Sequence, residues 1–158
     1  MITDADTLAE FRTSVVSFAA EQLAPGALER AHRVDYPRDV ARLLAKQGLL
    51  GLSIPEELGG QGAGLTAAIT AIQAVAGQCP RSADIVQAGN FGPIRTFAQY
   101  ASQDQRARYL DGLLAGDLLM SLGMSEPGAG SAPGSTASAR YWSIGERPGS
   151  RSASPRRT

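Results

Sequence analysis

The chain has 158 residues and a mass of 16.5 kDa, a length that suits one domain. Its composition is 43% hydrophobic and 19% charged, which excludes wholesale disorder, a collagen and a coiled coil. The sequence has neither an 18-residue apolar run nor a basic and apolar leader, so we expect no membrane span and no secretory signal. A single cysteine, Cys79, cannot form an internal disulfide, which indicates a reducing, cytoplasmic compartment.

The net charge of zero conceals an uneven distribution along the chain. Residues 1–130 carry 10 basic and 14 acidic side chains, a balance of −4. Residues 131–158 carry five arginines and one glutamate, a balance of +4. Of the 15 basic residues, 14 are arginine, a bias that is typical of GC-rich coding DNA.

The first part of the chain predicts an all-α bundle. Apolar residues at helical spacing predict a first helix, with a capping box of Thr7 and Glu10 at its start and Pro25-Gly26 at its end. A second helix is predicted from Asp35-Tyr36-Pro37 to Gly48, where glycine ends it. A short apolar run and a glycine-punctuated loop follow over residues 49–64.

Three further helices complete the predicted bundle of about five. The third ends near Gly77, and the fourth runs from about Ser82 with an interruption at Gly92-Pro93. A capping box of Ser102 and Gln105 opens the fifth, which Gly116 ends. Leu118-Leu119-Met120-Ser121-Leu122 then reads as a buried strand or an extended run.

The pattern changes at Ser131. Residues 132–158 are biased toward Ser, Arg, Gly and Pro and show neither a strand nor a helix period, so we expect a disordered tail. The tail arginines suggest a patch for nucleic acid or an acidic partner. Aromatic residues do not alternate with them, so a solvated tail is favoured and no nucleic-acid partner is expected.

Most residues with catalytic potential have a simpler interpretation. Gly60-Gln61-Gly62-Ala63-Gly64 lacks the spacing and the βαβ context of a dinucleotide loop and is interpreted as a surface turn. His32, the only histidine, is expected to be solvated between helices. Cys79 has no Cys or His at metal-ligand spacing, so we expect it to be packed or passively exposed and predict no metal site.

One segment stands out, the stretch Met124-Ser125-Glu126-Pro127-Gly128-Ala129-Gly130-Ser131 after the apolar run. Glycines allow close backbone approach, and successive N–H groups with serine hydroxyls can hold anionic oxygens or ring carbonyls. The same residues also fit an ordinary turn, with Ser125 and Glu126 capping it and Pro127 making it rigid.

This segment resembles the flavin-binding signature of the acyl-CoA dehydrogenases, which is usually a small apolar residue, then Thr or Ser, then Glu-Pro-x-x-Gly-Ser-Asp. Other parts are similar to the family in the same order: Phe11 with Leu23-Ala24-Pro25, Tyr36-Pro37, residues 48–62, and Tyr109-Leu110 with Gly116. The resemblance covers about residues 8–131.

The resemblance implies a mainly α fold, the helical N-terminal domain of that family, and a function in fatty acid metabolism. It implies FAD as cofactor, an acyl-CoA thioester as substrate and electron-transfer flavoprotein as partner. The Met124 backbone and Ser125 would contact the flavin ring. Gly130 and Ser131 would lie near the flavin pyrophosphate or the acyl-CoA. No catalytic residue is assigned, because the family's catalytic glutamate belongs to a later domain.

The resemblance stops at Ala132, where the family has aspartate. The family's β domain and C-terminal four-helix domain do not follow, so we expect this chain to be inactive alone and to lack the family's oligomer contacts. The predicted organisation is a helical domain over residues 1–121, a signature segment over 122–131 and a tail over 132–158. The tail's composition indicates an out-of-frame translation of GC-rich DNA, with a genuine alternative C-terminus as the second interpretation.

Two other functional classes fit the same sequence. The chain could be a helical interaction module, because the apolar residues 118–122 and the fifth helix would expose surface that favours association. It could also be the non-functional product of a degraded gene, because a marginally stable domain tolerates the loss of a packing layer poorly.

Overall fold

The computed structural model describes residue 2 and residues 4–123 and 141–145, with side chains up to Ser121. These residues fall into two compact units, Met1–Asp117 and Leu118–Thr158. Their helices and strands are α1 (Ala5–Gln22), α2 (Ala27–His32), α3 (Arg38–Lys46), a 3₁₀ turn (Glu56–Leu58), α4 (Gly64–Ala76), α5 (Pro80–Asn90), α6 (Pro93–Tyr100), α7 (Gln103–Leu114), β1 (Leu119–Gly123) and β2 (Tyr141–Gly145).

The mainly α fold is confirmed, although the described part of the chain has seven α-helices rather than about five. One additional helix is α2, whose six residues are too few to show a helical period in the sequence. The other arises because the predicted fourth helix is divided into α5 and α6. Gly92 adopts a non-helical conformation at this point, and Pro93 starts a new helix in its first turn.

Of the two capping boxes predicted at helix starts, one is wrong and one is correct. The capping box of Thr7 and Glu10 is wrong, because α1 begins earlier and the Asp4 carboxylate accepts the Thr7 N–H at 2.7 Å. This hydrogen bond lowers the pKa of Asp4 below its ordinary value. The box of Ser102 and Gln105 is confirmed, with both reciprocal hydrogen bonds present.

Gly48 and Gly116 end α3 and α7 as predicted, and both have positive φ angles, of 70° and 74°. At α3, the Gly48 N–H donates to Ala45 O and the Leu49 N–H to Leu44 O. At α7, the corresponding bonds run from Gly116 to Leu113 and from Asp117 to Gly112. Both pairs form the Schellman arrangement, which uses carbonyls that a helix end would otherwise leave unpaired.

The core of the helical unit is assembled on α4. This helix packs against both α1 and α5. Its buried face is made mainly of small residues, and Ile69 points away from the core with 47% of its surface exposed. The buried residues of α4 are Ala67, Ala68, Thr70, Ala71, Ala74 and Val75. Small side chains on this face allow neighbouring helices to pack closely against α4.

The Asn90 side chain at the end of α5 fixes the apolar run that follows α3. It is fully buried. Its Nδ2 donates to Leu49 O at 2.7 Å and to Val86 O at 2.9 Å, while its Oδ1 accepts the Ser53 N–H at 2.9 Å. The Ser53 hydroxyl donates to Asn90 O at 2.8 Å. Each polar atom of the amide therefore has a partner, as burial requires.

The close approach at this point also depends on Gly89. A Cβ atom on Gly89 would lie 2.3 Å from the Leu50 carbonyl oxygen. The backbone of α5 consequently touches the backbone of the apolar run with no side chain between them, and Asn90 can reach Leu49 and Ser53 with its short side chain.

The second unit contains an antiparallel two-stranded sheet. β1 pairs with β2 in an uninterrupted register from Leu119 opposite Gly145 to Gly123 opposite Tyr141. The strand interpretation of residues 118–122 is confirmed, but its burial is not, because Leu119 and Met120 are half-buried and Ser121 is exposed. The expectation of a disordered tail is wrong for residues 141–145, which form β2, because their backbone pairs with β1 in a long-range ladder that leaves no local signal in the sequence. The expectation of disorder for residues 132–140 and 146–158 lies outside the described residues.

We predict that Asn90→Ala lowers the free energy of unfolding by about 2–4 kcal/mol, because it leaves the Ser53 N–H and the Leu49 carbonyl buried without partners. Urea denaturation followed by circular dichroism measures this difference. The matched control is Gln87→Ala, an exposed amide on the same helix, which should change the stability by less than about 0.5 kcal/mol. Equal effects of the two substitutions would contradict the role of the buried amide.

Candidate functional site

The predicted cofactor-binding residues Met124, Ser125, Gly130 and Ser131 all lie outside the described residues, so their roles remain predictions. The same holds for Ser131 as a substrate-binding residue. The structure does describe the chain directly before them, because β1 ends at Gly123.

The chain leaves the helical unit at a tight corner formed by Gly116 and Asp117. Gly116 lies directly against the backbone of α3, so that a Cβ atom there would be 2.7 Å from the Ala41 carbonyl carbon. Its positive φ angle adds a second reason for glycine, since L-residues with side chains rarely adopt that conformation. Both constraints fix the position of residue 117 on the surface of α3.

Two arginines of α3 hold the same corner from the solvent side. Arg38 Nη1 donates to the Asp117 carbonyl oxygen at 3.0 Å, and Arg42 Nε donates to Asp117 Oδ1 at 2.7 Å. The two arginines are four residues apart and therefore lie on one face of the helix. The Arg42–Asp117 pair is more than half exposed, so it contributes at most about 1 kcal/mol to stability.

A shallow surface pocket of about 410 Å³ lies beside this corner. Arg42, Ala45 and Lys46 of α3 line one wall, and Ala115 and Asp117 line the other. Its two cationic side chains face one carboxylate, which Arg42 already engages. The pocket presents alanine methyl groups and aliphatic stems and holds no cluster of catalytic groups.

The glycine-rich loop at residues 60–64 is a turn stabilised by backbone hydrogen bonds and not a dinucleotide loop, as predicted from its sequence. The N–H groups of Gln61, Gly62 and Ala63 donate to the carbonyl oxygens of residues 51, 54 and 52, at 2.8–2.9 Å. A Cβ atom on Gly60 would lie 2.1 Å from Ile54 O. Because these successive N–H groups are already paired with backbone carbonyls, the loop offers no cradle for a phosphate.

Cys79 is packed in the core, which confirms the first of its two expected placements. Its side chain is fully buried, and its sulfur accepts a hydrogen bond from the Ser82 hydroxyl at 3.1 Å. Burial raises the pKa of the thiol, but hydrogen bonds from Ser82 and Arg30 outweigh that effect and lower it overall. A nucleophile must reach its substrate, so a thiol with no exposed surface is not a candidate for catalysis.

His32 is exposed, as expected, although it forms the last residue of α2 rather than part of a loop. The residues that the structure describes contain no group of three or more His, Cys, Asp or Glu side chains arranged to hold a metal ion. In that same part of the chain, no helix is both long enough and apolar enough to cross a membrane.

Comparison with known proteins assigns the family. The family model described as "Acyl-CoA dehydrogenase, N-terminal domain" matches residues 5–117. The chain therefore belongs to the acyl-CoA dehydrogenase family and represents its helical N-terminal domain. The last matched residue is also the last residue of the helical unit in the structure, Asp117.

Curated relatives agree with this assignment. The chain is 34% identical over 129 residues to an isovaleryl-CoA dehydrogenase from Solanum tuberosum, covering 80% of this chain and 31% of that protein. It is 32% identical over 114 residues to a 3-sulfinopropanoyl-CoA desulfinase from Variovorax paradoxus, covering 72% and 28%. A short-chain specific acyl-CoA dehydrogenase from Sus scrofa is 27% identical, with coverages of 84% and 32%. The chain thus spans about a third of the length of these relatives.

We predict that Gly116→Ala destabilises the helical unit by about 2 kcal/mol or more, through the clash with Ala41 and the positive φ angle. Gly77→Ala is the matched control, because Gly77 has a φ angle of −61° and ordinary space around it. The control should leave stability unchanged or raise it by up to about 1 kcal/mol. Thermal or urea unfolding measures both, and the prediction fails if the two variants behave alike.

Proposed function

We propose that this chain is the N-terminal part of a flavin-dependent acyl-CoA dehydrogenase, an enzyme that introduces an α,β double bond into an acyl-CoA thioester. The observation that carries the proposal is the agreement between the matched family domain and the structural unit, both of which end at Asp117. The predicted flavin signature begins seven residues later, directly after β1.

FAD would supply the acceptor for the β-hydride in this reaction. Under the proposal, the Met124 backbone and Ser125 contact the flavin ring, and Gly130 and Ser131 lie near its pyrophosphate or the acyl-CoA. The described residues contribute the scaffold that leads to this segment, namely the fixed corner at Asp117 and strand β1. The base that removes the α-proton is assigned to a later domain of the family.

The relatives support the CoA thioester as the substrate class. Their names include isovaleryl-CoA and short-chain acyl-CoA dehydrogenases, a 3-sulfinopropanoyl-CoA desulfinase and an acryloyl-CoA reductase from Anaerotignum propionicum. These proteins share a CoA thioester in their names but differ in the reaction. Dehydrogenation is proposed here because the dehydrogenases include relatives at up to 34% identity. Electron-transfer flavoprotein is the proposed electron acceptor. The cytoplasm is the proposed compartment, because a single cysteine is typical of proteins in a reducing environment.

We predict that the 158-residue chain alone does not reduce an artificial electron acceptor when it is given FAD and isovaleryl-CoA or butyryl-CoA. It spans about a third of its relatives and, under the proposal, lacks the segment that carries the base. The full-length isovaleryl-CoA dehydrogenase from potato serves as the positive control. Turnover by the chain above the background of free FAD would contradict the proposed assignment of the base to a later domain.

We also propose that residues from about Ala132 are translated from a shifted reading frame. Support comes from the loss of the signature at Ala132 and from the Arg-, Ser-, Pro- and Gly-rich composition that follows. The prediction is that another frame of the coding DNA, beyond codon 131, encodes aspartate and then a sequence similar to the middle domain of the family. Resequencing from codon 120 onward tests it. If no frame continues the family pattern, the shifted-frame proposal is wrong.

A further inference from the structure

Helix α2 is weakly attached to the rest of the helical unit. None of its six residues is buried, and Leu28 has 76% of its surface exposed. Its apolar contact with the core comes from Ala27, a small side chain that is only partly buried. The eight residues of α6, by contrast, include three that are buried. A helix of six residues is unstable by itself in water, so other contacts must hold α2 in place.

The Arg30 side chain supplies the polar contacts that tie α2 to the end of α1. Its Nη2 donates to the carbonyl oxygens of Leu23, the C-cap of α1, and of Pro25, the latter at 2.9 Å. The backbone hydrogen bonds of residues 27–33 that the structure describes stay within residues 24–33. Arg30 Nε is buried and has no partner among the described residues. An unpaired buried donor costs free energy, so the tie that Arg30 provides is only moderately favourable.

The ends of α2 allow this segment to move without disturbing a buried residue. Gly26, its N-cap, has a φ angle of 73° and makes no side-chain cap. Val34, two residues beyond its last residue, is fully exposed. Hinges in proteins are a few residues at the ends of elements that absorb the change in backbone angles. The Arg30 guanidinium also lies beside the sulfur of Cys79, which is fully buried.

We propose that α2 is a latch, which opens about Gly26 and Val34 while the rest of the helical unit stays folded, and that Arg30 holds it closed beside Cys79. Segments with few buried contacts open at a lower free energy than the whole protein unfolds. Each opening withdraws the Arg30 side chain from the Cys79 sulfur and gives solvent access to a thiol that the closed structure excludes. The proposal does not depend on the proposed function.

The rate at which dithiobis-nitrobenzoate labels the full chain tests the opening. Cys79 is the only cysteine, so the reaction reports on this thiol alone. We expect labelling under native conditions at a rate that urea up to about 1 M leaves unchanged, because a local opening exposes little surface. A rate that rises with urea as steeply as the unfolding equilibrium would overturn the proposal, because the thiol would then be reached only by global unfolding. A thiol that does not react under native conditions would overturn it as well.

Two arginine variants test the role of Arg30. Arg30→Met keeps the aliphatic stem and removes the guanidinium, so we expect labelling about tenfold faster. Burial raises the pKa of the Cys79 thiol, whereas hydrogen bonds from Ser82 and Arg30 lower it. Loss of Arg30 would by itself reduce the thiolate fraction and slow the reaction, so faster labelling reports opening. Arg33→Met is the control, because Arg33 pairs with the exposed Asp35, and it should leave the rate unchanged. Equal acceleration by both variants, or none by Arg30→Met, refutes the proposal.

Hydrogen exchange of the unmodified chain tests the latch without any substitution. The amides of α2 should be at least about tenfold less protected than those of α6, a helix of similar length with buried residues. Mass spectrometry of peptides that cover residues 26–34 and 93–100 measures both. Equal protection of the two helices would show that α2 opens only with the rest of the unit, which contradicts the proposal.

Discussion

The buried Asn90 amide is the interaction on which the arrangement of the helical unit depends. It joins the end of α5 to the apolar run after α3 through hydrogen bonds to Leu49 and Ser53, across about forty residues of sequence. Such an amide is costly to bury unless each polar atom is paired. It therefore favours the one packing of α5 against the apolar run in which all its hydrogen bonds form, and it disfavours packings in which any of them is lost. The loop at residues 60–64 folds back on the same run, which gives the unit a second layer of backbone pairing.

The sequence predicted the features that short-range chemistry determines. Gly48 and Gly116 could be recognised as helix ends because a Schellman turn needs a residue that tolerates positive φ. Ser102 and Gln105 could be recognised as a capping box because both partners lie within one turn. The same reasoning misplaced the start of α1, since Thr7 and Glu10 fit the pattern equally well and only the structure shows that Asp4 is the cap.

Long-range features could not be predicted in this way. Nothing in the sequence around Asn90 indicates that its partners are Leu49 and Ser53, because hydrogen bonds between distant segments leave no local period. The ion pair between Arg42 and Asp117 also joins residues that are distant in the sequence, so it could not be predicted from local patterns either. For the candidate site, the resemblance identified the family and the signature segment, whereas the contacts of residues 124–131 remain predictions.

The alanine-rich face of α4 has a consequence for the way this domain can change during evolution. In an interior built from leucine and phenylalanine, most damage comes from truncation, which leaves cavities. At Ala67, Ala68 and Ala71 there is almost no side chain to truncate, and all three are fully buried. Nearly every substitution there inserts volume between helices that already touch, which forces backbone shifts. We therefore expect these three positions to tolerate only glycine, serine or alanine, whereas the exposed positions of the same helix, such as Ile69, should accept larger changes.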